Sequence, residues 1–234
     1  MGRIIAISSG DLSTTEAMNR YAVNMSAGST KHVLFIGTAS GDAEGYINSI
    51  KTVFTELGCE EVRALELTRK EYSEEELRRE ILWADIIYVG GGDTVFMRNE
   101  WKKCGLDVLL REVYEKDTAV LMGISAGAMC WFSCGCTDSE LATIKPGMKF
   151  GVAEELLGIH SQFFCPHYED RVEEFEVLLK DRCRDAVALE SNVAFVEENG
   201  RTYYIKVVEE ATGYEFRYEN GSYEKEEITA TYVG

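Results

Sequence analysis

Between Ala119 and Phe132 the chain reads AVLMGISAGAMCWF, and this stretch constrains the fold more than any other. Ala119 to Met122, with Ile124 beyond Gly123, form an apolar run that no polar side chain interrupts, which predicts a buried parallel strand. Gly123-Ile124-Ser125-Ala126-Gly127 then places G-x-S-x-G between that strand and a helix-compatible segment, the pattern of a nucleophile elbow. Small neighbours let strand and helix approach closely, so that the Ser125 hydroxyl projects outward. At a helix N-terminus that hydroxyl meets the positive end of the helix dipole, and the Ala126 amide is free to bind an oxyanion. A Gly/Ala-rich turn with a capping serine would look the same in isolation; the strand before it and the helix after it favour the nucleophile.

The flanking chain repeats one plan. Apolar strands are predicted at Arg3 to Ser9, Lys31 to Thr38, Val62 to Leu67 and Asp85 to Val89, each followed by a polar or glycine-rich turn. Helices are predicted from Thr14/Thr15 to about Met25, from Gly45 to Leu57 and from a Ser73/Glu76 capping box to Ala84. Two more follow, Thr94 to Lys103 and Leu106 to Glu115. Strands alternating with helices imply a mainly parallel sheet covered on both faces. The turns after Ser8, Thr38, Val89 and Ile124 then share its carboxyl edge, where such folds place their sites. Beyond the elbow, a helix is expected to continue through Cys130, and Ser133 to Gly151 reads as irregular. Glu169 to Arg182 reads as an amphipathic helix. Ala186 to Leu189, Val193 to Glu197 and Tyr203 to Val208 read as antiparallel strands, with a further strand or two from Tyr214 onwards.

Composition narrows the function. The 234 residues contain only two prolines and no biased linker, so one domain over 1–234 is expected. A formal net charge of −17 disfavours nucleic acid and anionic membrane surfaces as partners. No apolar run is long enough for a signal peptide or a membrane span, and seven scattered cysteines form no disulfide framework; a cytoplasmic location is expected. The C-x3-C-x-C spacing of Cys130, Cys134 and Cys136 matches no usual zinc pair, and no dinucleotide or Walker A fingerprint occurs, so neither metal nor cofactor is expected.

A serine nucleophile requires a base, and the base an orienting acid. The chain has three histidines: His32 at a strand start, His160 before a polar pair, and His167 in Cys165-Pro166-His167-Tyr168, where the proline stiffens the turn. His167 is the favoured base. Asp138, after the elbow segment, and Glu190, after the strand AVAL, are both candidates for the acid.

Taken together, YVGGGDT, GISAGAMCWF, CTDSE and CPHY resemble the peptidase E/cyanophycinase family of serine peptidases, whose best-known members release an N-terminal Asp from dipeptides. The resemblance runs from the first strand to about Glu197. It implies a flavodoxin-like fold similar to class I glutamine amidotransferases, with a serine in place of their elbow cysteine. It places the nucleophile on Ser125, the histidine on His167 and the acid on Glu190 or Asp138, with Glu190 preferred. Gly92 would supply a second oxyanion amide beside Ala126. The family commonly has asparagine where this chain has Asp93, which could accept a substrate ammonium but would repel a carboxylate. Arg171 is a candidate cation for an acidic substrate side chain, with a solvated arginine paired to Glu174 or Glu169 as the alternative. The implied partner is a small peptide, and the sequence leaves a homodimer open. Other readings of the same elbow are a hydrolase of other amides or esters, and a non-catalytic small-molecule-binding relative.

Overall fold

A computed structural model describes residues 2–234. The first half alternates as the apolar runs dictate: β1 (Arg3–Ile7), α1 (Glu16–Met25), β2 (His32–Ile36), α2 (Glu44–Glu56), β3 (Glu61–Leu65), α3 (Glu74–Trp83), β4 (Ile86–Val89), α4 (Thr94–Cys104), α5 (Leu106–Lys116) and β5 (Val120–Ile124). The elbow helix α6 (Ala126–Met129) leads to β6 (Phe132–Thr137), β7 (Gly151–Ala153), β8 (His160–Cys165), α7 (Val172–Lys180) and β9 (Ala186–Leu189). The chain ends with β10 (Val193–Glu198), β11 (Arg201–Lys206), β12 (Gly213–Glu219), β13 (Ser222–Glu227) and β14 (Ala230–Tyr232).

Eight strands form one sheet in the order β14-β11-β10-β1-β5-β4-β2-β3, of which β1, β5, β4, β2 and β3 are mutually parallel. The residues of β1, β5, β4 and β2 are almost wholly buried because helices cover both faces, whereas the edge strand β3 buries only Leu65. Met18, Ala22, Ile50 and Phe54 from α1 and α2 pack on one face; Leu77, Ile81, Leu106 and Leu110 from α3 and α5 pack on the other. The Ser73/Glu76 capping box opens α3 with both reciprocal bonds made.

The remaining strands form a second sheet, β13-β12-β9-β8-β6-β7, that the sequence did not announce. The expected helix through Cys130 lasts a single turn, and the supposedly irregular stretch from Ser133 begins as β6. The reason is tertiary. Trp131 and Phe132 are fully buried, and Phe132 stacks on Phe164 of β8 at 4.3 Å, which draws the chain into strand pairing. Side chains of β8 and β9 alternate between two cores, as a two-residue period requires, and on β6 a register shift between Phe132 and Cys134 puts these two residues in different cores. Phe132, Phe164, Val187 and Leu189 join the core beneath the first sheet, whereas Cys134, Cys136, Phe163, Cys165, Ala186 and Ala188 face α7. The three strands expected as one antiparallel set are therefore divided: β10 and β11 form a hairpin on β1, while β9 lies parallel to β8 in the other sheet. Cys130 likewise packs in a different core from Cys134 and Cys136, and among the described residues no group of three or more His, Cys, Asp or Glu side chains gathers in a metal-binding arrangement. Among those residues no helix is long and apolar enough to cross a membrane.

Candidate active site

Five turns converge where the two sheets meet. Those after β1, β4 and β5 leave the carboxyl edge of the first sheet, and those after the parallel pair β6 and β8 leave the second. The turns after β4, β5, β6 and β8, with Phe150, border an open cavity of about 600 Å³ lined by Gly92, Asp93, Ser125, Asp138, Ser139, Glu140, Phe150, His167, Asp170 and Arg171.

Ser125 follows β5 directly, with φ 54° and ψ −112°, a backbone region that non-glycine residues rarely occupy. Neighbouring bonds hold it there. Its amide donates to the carbonyls of Ile7 (3.0 Å) and Ser8 (3.1 Å), and its own carbonyl accepts from Ala128 and Met129 in α6. Gly127 allows the close approach this requires, since a Cβ there would lie 2.1 Å from the Val89 carbonyl oxygen.

His167 follows β8 through Pro166, and its Nε2 lies 2.9 Å from Ser125 Oγ. The two residues are 42 positions apart in sequence, and a third one ties their backbones together. Ser8 Oγ accepts from the His167 amide (2.9 Å) and donates to the Leu189 carbonyl (2.7 Å), while the Ser8 carbonyl accepts from Ser125 N. Fully buried at the end of an apolar strand, Ser8 showed nothing in sequence to set it apart from a turn serine. Burial, and then the Arg171 guanidinium, hold the His167 imidazole below its ordinary pKa, against opposite pulls from Glu169, Asp138 and Asp170. The ring therefore gives up its proton at a lower pH than a free imidazole, which favours the neutral form a base requires.

The other histidines are engaged elsewhere. His32 Nδ1 lies 3.3 Å from Asp85, and His160 Nε2 lies 3.1 Å from Glu197, itself bonded by Tyr114. Among the described residues no carboxylate pairs with the His167 ring. Asp138 lines the cavity close enough to act on the imidazole electrostatically. Glu190 is not among the residues lining the cavity: its Oε2 accepts from the Thr212 amide at 3.1 Å, where the end of β9 meets the start of its antiparallel neighbour β12.

Gly92 borders the cavity beside Ser125, and the Ala126 amide, at the first position of α6, has no intrahelical partner. Asp93 caps α4, its Oδ1 accepting from Phe96 N (2.9 Å) and Ser139 Oγ (2.6 Å). The alternative reading of Arg171 as a solvated, carboxylate-paired arginine does not describe its place. It is 7% exposed, its Nη1 donates to the Cys136 carbonyl (2.6 Å), its guanidinium lies 4.7 Å from the Phe150 ring centre, and its Nε has no partner. Glu174 instead accepts from the Lys149 and Phe150 amides, and Glu169 from Ser191. Phe150 and Asp170, which help to line the cavity, were not singled out in sequence, although Asp170 sits three residues after His167.

Comparison with known proteins gives the family. The model of peptidase family S51 matches residues 4–205. The chain belongs to peptidase family S51. It is 37% identical over 174 residues to the uncharacterized peptidase YgaJ of Bacillus subtilis (strain 168), covering 72% of this chain and 70% of that one. Among solved structures, a peptidase from an acI-B1 Actinobacterium superposes with a TM-score of 0.65 at 19% identity, over 98% of this chain and 95% of the other. A protein provisionally named peptidase E from Listeria monocytogenes EGD-e gives 0.63, also at 19% identity, over 89% and 100%. These likenesses show the flavodoxin-like, amidotransferase-like fold, and membership of S51 makes the protein a serine peptidase.

Proposed function

We propose that this S51 peptidase is an exopeptidase that releases an N-terminal acidic residue from short peptides, through an acyl-enzyme on Ser125. The observation that carries the acidic preference is Arg171: a buried guanidinium with an unpartnered Nε, lining the same cavity as Ser125 and His167. A substrate carboxylate would satisfy it, since an arginine so placed gains most from a charged acceptor.

In this reading His167 Nε2 takes the Ser125 proton as Oγ attacks the scissile carbonyl carbon. The amides of Gly92 and Ala126 receive the oxyanion, and His167 passes the proton to the leaving amine. Water, deprotonated by the same ring, then attacks the acyl-enzyme, and Ser125 recovers its proton as the acid departs. Asp138 is the acid we assign to support the imidazolium, because it faces the cavity and favours the charged ring, whereas the Glu190 carboxylate is bonded to Thr212. The substrate ammonium would meet Asp93.

One observation favours a second reading, a hydrolase of other amides or esters. The cavity presents four carboxylates, Asp93, Asp138, Glu140 and Asp170, against the single cation Arg171. Dipeptides beginning with Asp, Asn, Glu or Ala separate the two. Asp-Leu should exceed Ala-Leu in kcat/KM by roughly 10- to 100-fold, the worth of one charge-assisted pair. Arg171→Met should erase that ratio whatever it does to the absolute rate. Equal cleavage of Asp-Leu and Ala-Leu by the wild type would remove the acidic assignment.

A further inference from the structure

His167 occupies the left-handed region, at φ 53° and ψ 41°. A side-chain-bearing residue is held there only when its surroundings over-determine it. The Ser8 bond fixes its amide on one side. On the other side the next residue, Tyr168, is driven into the core beneath α7, where it is 2% exposed. Its ring meets Phe175 (5.7 Å), Tyr214 (5.5 Å) and Phe216 (6.2 Å) edge-on. Its hydroxyl accepts from Lys225 Nζ at 2.8 Å. That ammonium also lies 4.4 Å from the Tyr214 ring centre, 5.2 Å from Tyr168 and 5.4 Å from Phe216, with Glu176 at 3.3 Å. Tyr214, Phe216 and Lys225 all belong to the β12–β13 hairpin, beyond residue 205 where the family match ends.

We infer that Lys225 is a positioning residue for catalysis: with its stem partly open to solvent but its ammonium set against three aromatic rings and bonded to the Tyr168 hydroxyl, it locks the turn that sets His167 against Ser125. The inference rests on the serine-peptidase assignment of Ser125 and His167 but not on the acidic substrate preference. A cation over ring faces attracts them electrostatically, and the same charge strengthens the hydrogen bond to the hydroxyl. Removing it loosens the wedge next to His167. A displacement of the base by a fraction of an ångström affects proton transfer without altering what the cavity can bind.

The test is saturable inactivation by a small fluorophosphonate, which reads the Ser125–His167 pair without a known substrate. Lys225→Met keeps most of the stem but removes the charge, and should lower kinact about 10-fold with KI unchanged. Lys225→Arg should restore most of the loss. Tyr168→Phe, which deletes one oxygen, should reproduce the Lys225→Met defect, and the double variant should be no worse than either single one, because both break one connection. Wild-type kinact in Lys225→Met, or Lys225→Arg as impaired as Lys225→Met, would overturn the inference. Were Lys225→Met not to fold, wild-type kinact in Tyr168→Phe would overturn it equally. A wild type that does not react at all would overturn the catalytic assignment of Ser125, and this inference with it; cleavage of Ala-Leu as fast as Asp-Leu would remove only the acidic preference.

Discussion

Replacing His167 by asparagine should lower kcat by roughly 10⁴-fold or more while leaving the fold intact. Asparagine is the substitution of choice because it tolerates the left-handed backbone at φ 53° better than other non-glycine residues. The amide bond to Ser8 Oγ is made by the backbone and survives. What disappears is the only ring within hydrogen-bond distance of Ser125 Oγ among the described residues, at 2.9 Å. Without it the serine hydroxyl must lose its proton to water, and residual turnover would come from the oxyanion amides and substrate binding alone. Steady-state kinetics on any cleaved dipeptide measure this, and KM should change little because the imidazole accepts a proton rather than anchoring the substrate. Retention of even a tenth of the wild-type kcat would show that another group serves as base.

Gly92→Ala should cost on the order of 10²- to 10³-fold in kcat, the usual scale for losing one oxyanion donor. At φ 139° the backbone of Gly92 suits glycine, and a Cβ there would lie 2.2 Å from the Ala39 carbonyl oxygen. That oxygen cannot readily retreat, since it accepts the Asp93 amide at 2.8 Å. The loop carrying Gly92 must therefore move away from the cavity and take its amide with it. Asp93 caps α4 from the same loop, so thermal stability should fall as well. The informative quantity is kcat measured well below the lowered melting temperature. An alanine variant with wild-type kcat would mean that the Gly92 amide does not hold the oxyanion.

The parallel sheet was legible in sequence because its determinants are local. Val120–Ile124 and Ile86–Val89 are continuous apolar runs, Ser73 and Glu76 form a capping box on their own, and Gly105 separates α4 from α5, between the two helices expected at Thr94 to Lys103 and Leu106 to Glu115. The second sheet was not legible because its determinants are distant. The sequence FSCGCT carries little β-propensity, and it becomes a strand only through pairing with β8 and the stacking of Phe132 on Phe164. The same division runs through the site. The turn chemistry of Ser125 and the Cys-Pro-His-Tyr context of His167 mark them within a few residues of chain. Arg171 was a candidate cation in sequence with a solvated, carboxylate-paired arginine as the alternative, and local chain could not choose between them because it is the approach of Cys136 and Phe150 from other elements that buries it. Chain order could not choose between Asp138 and Glu190, because triads occur in several orders. Asp138 sits on a turn that opens into the cavity, whereas the Glu190 carboxylate is bonded across to Thr212 at the start of the neighbouring strand β12.

The most direct test of the mechanism is the pH dependence of inactivation by a small fluorophosphonate, with the adduct located by peptide mass mapping. One adduct per chain is expected, on Ser125, and its rate of formation should rise as His167 loses its proton. Because burial and Arg171 hold that imidazole below its ordinary value of 6.5, the midpoint of the rise should fall on the acid side of pH 6.5. An adduct on another residue, no adduct at all, or a rate that does not change through that range would contradict the pairing of Ser125 with His167 as nucleophile and base.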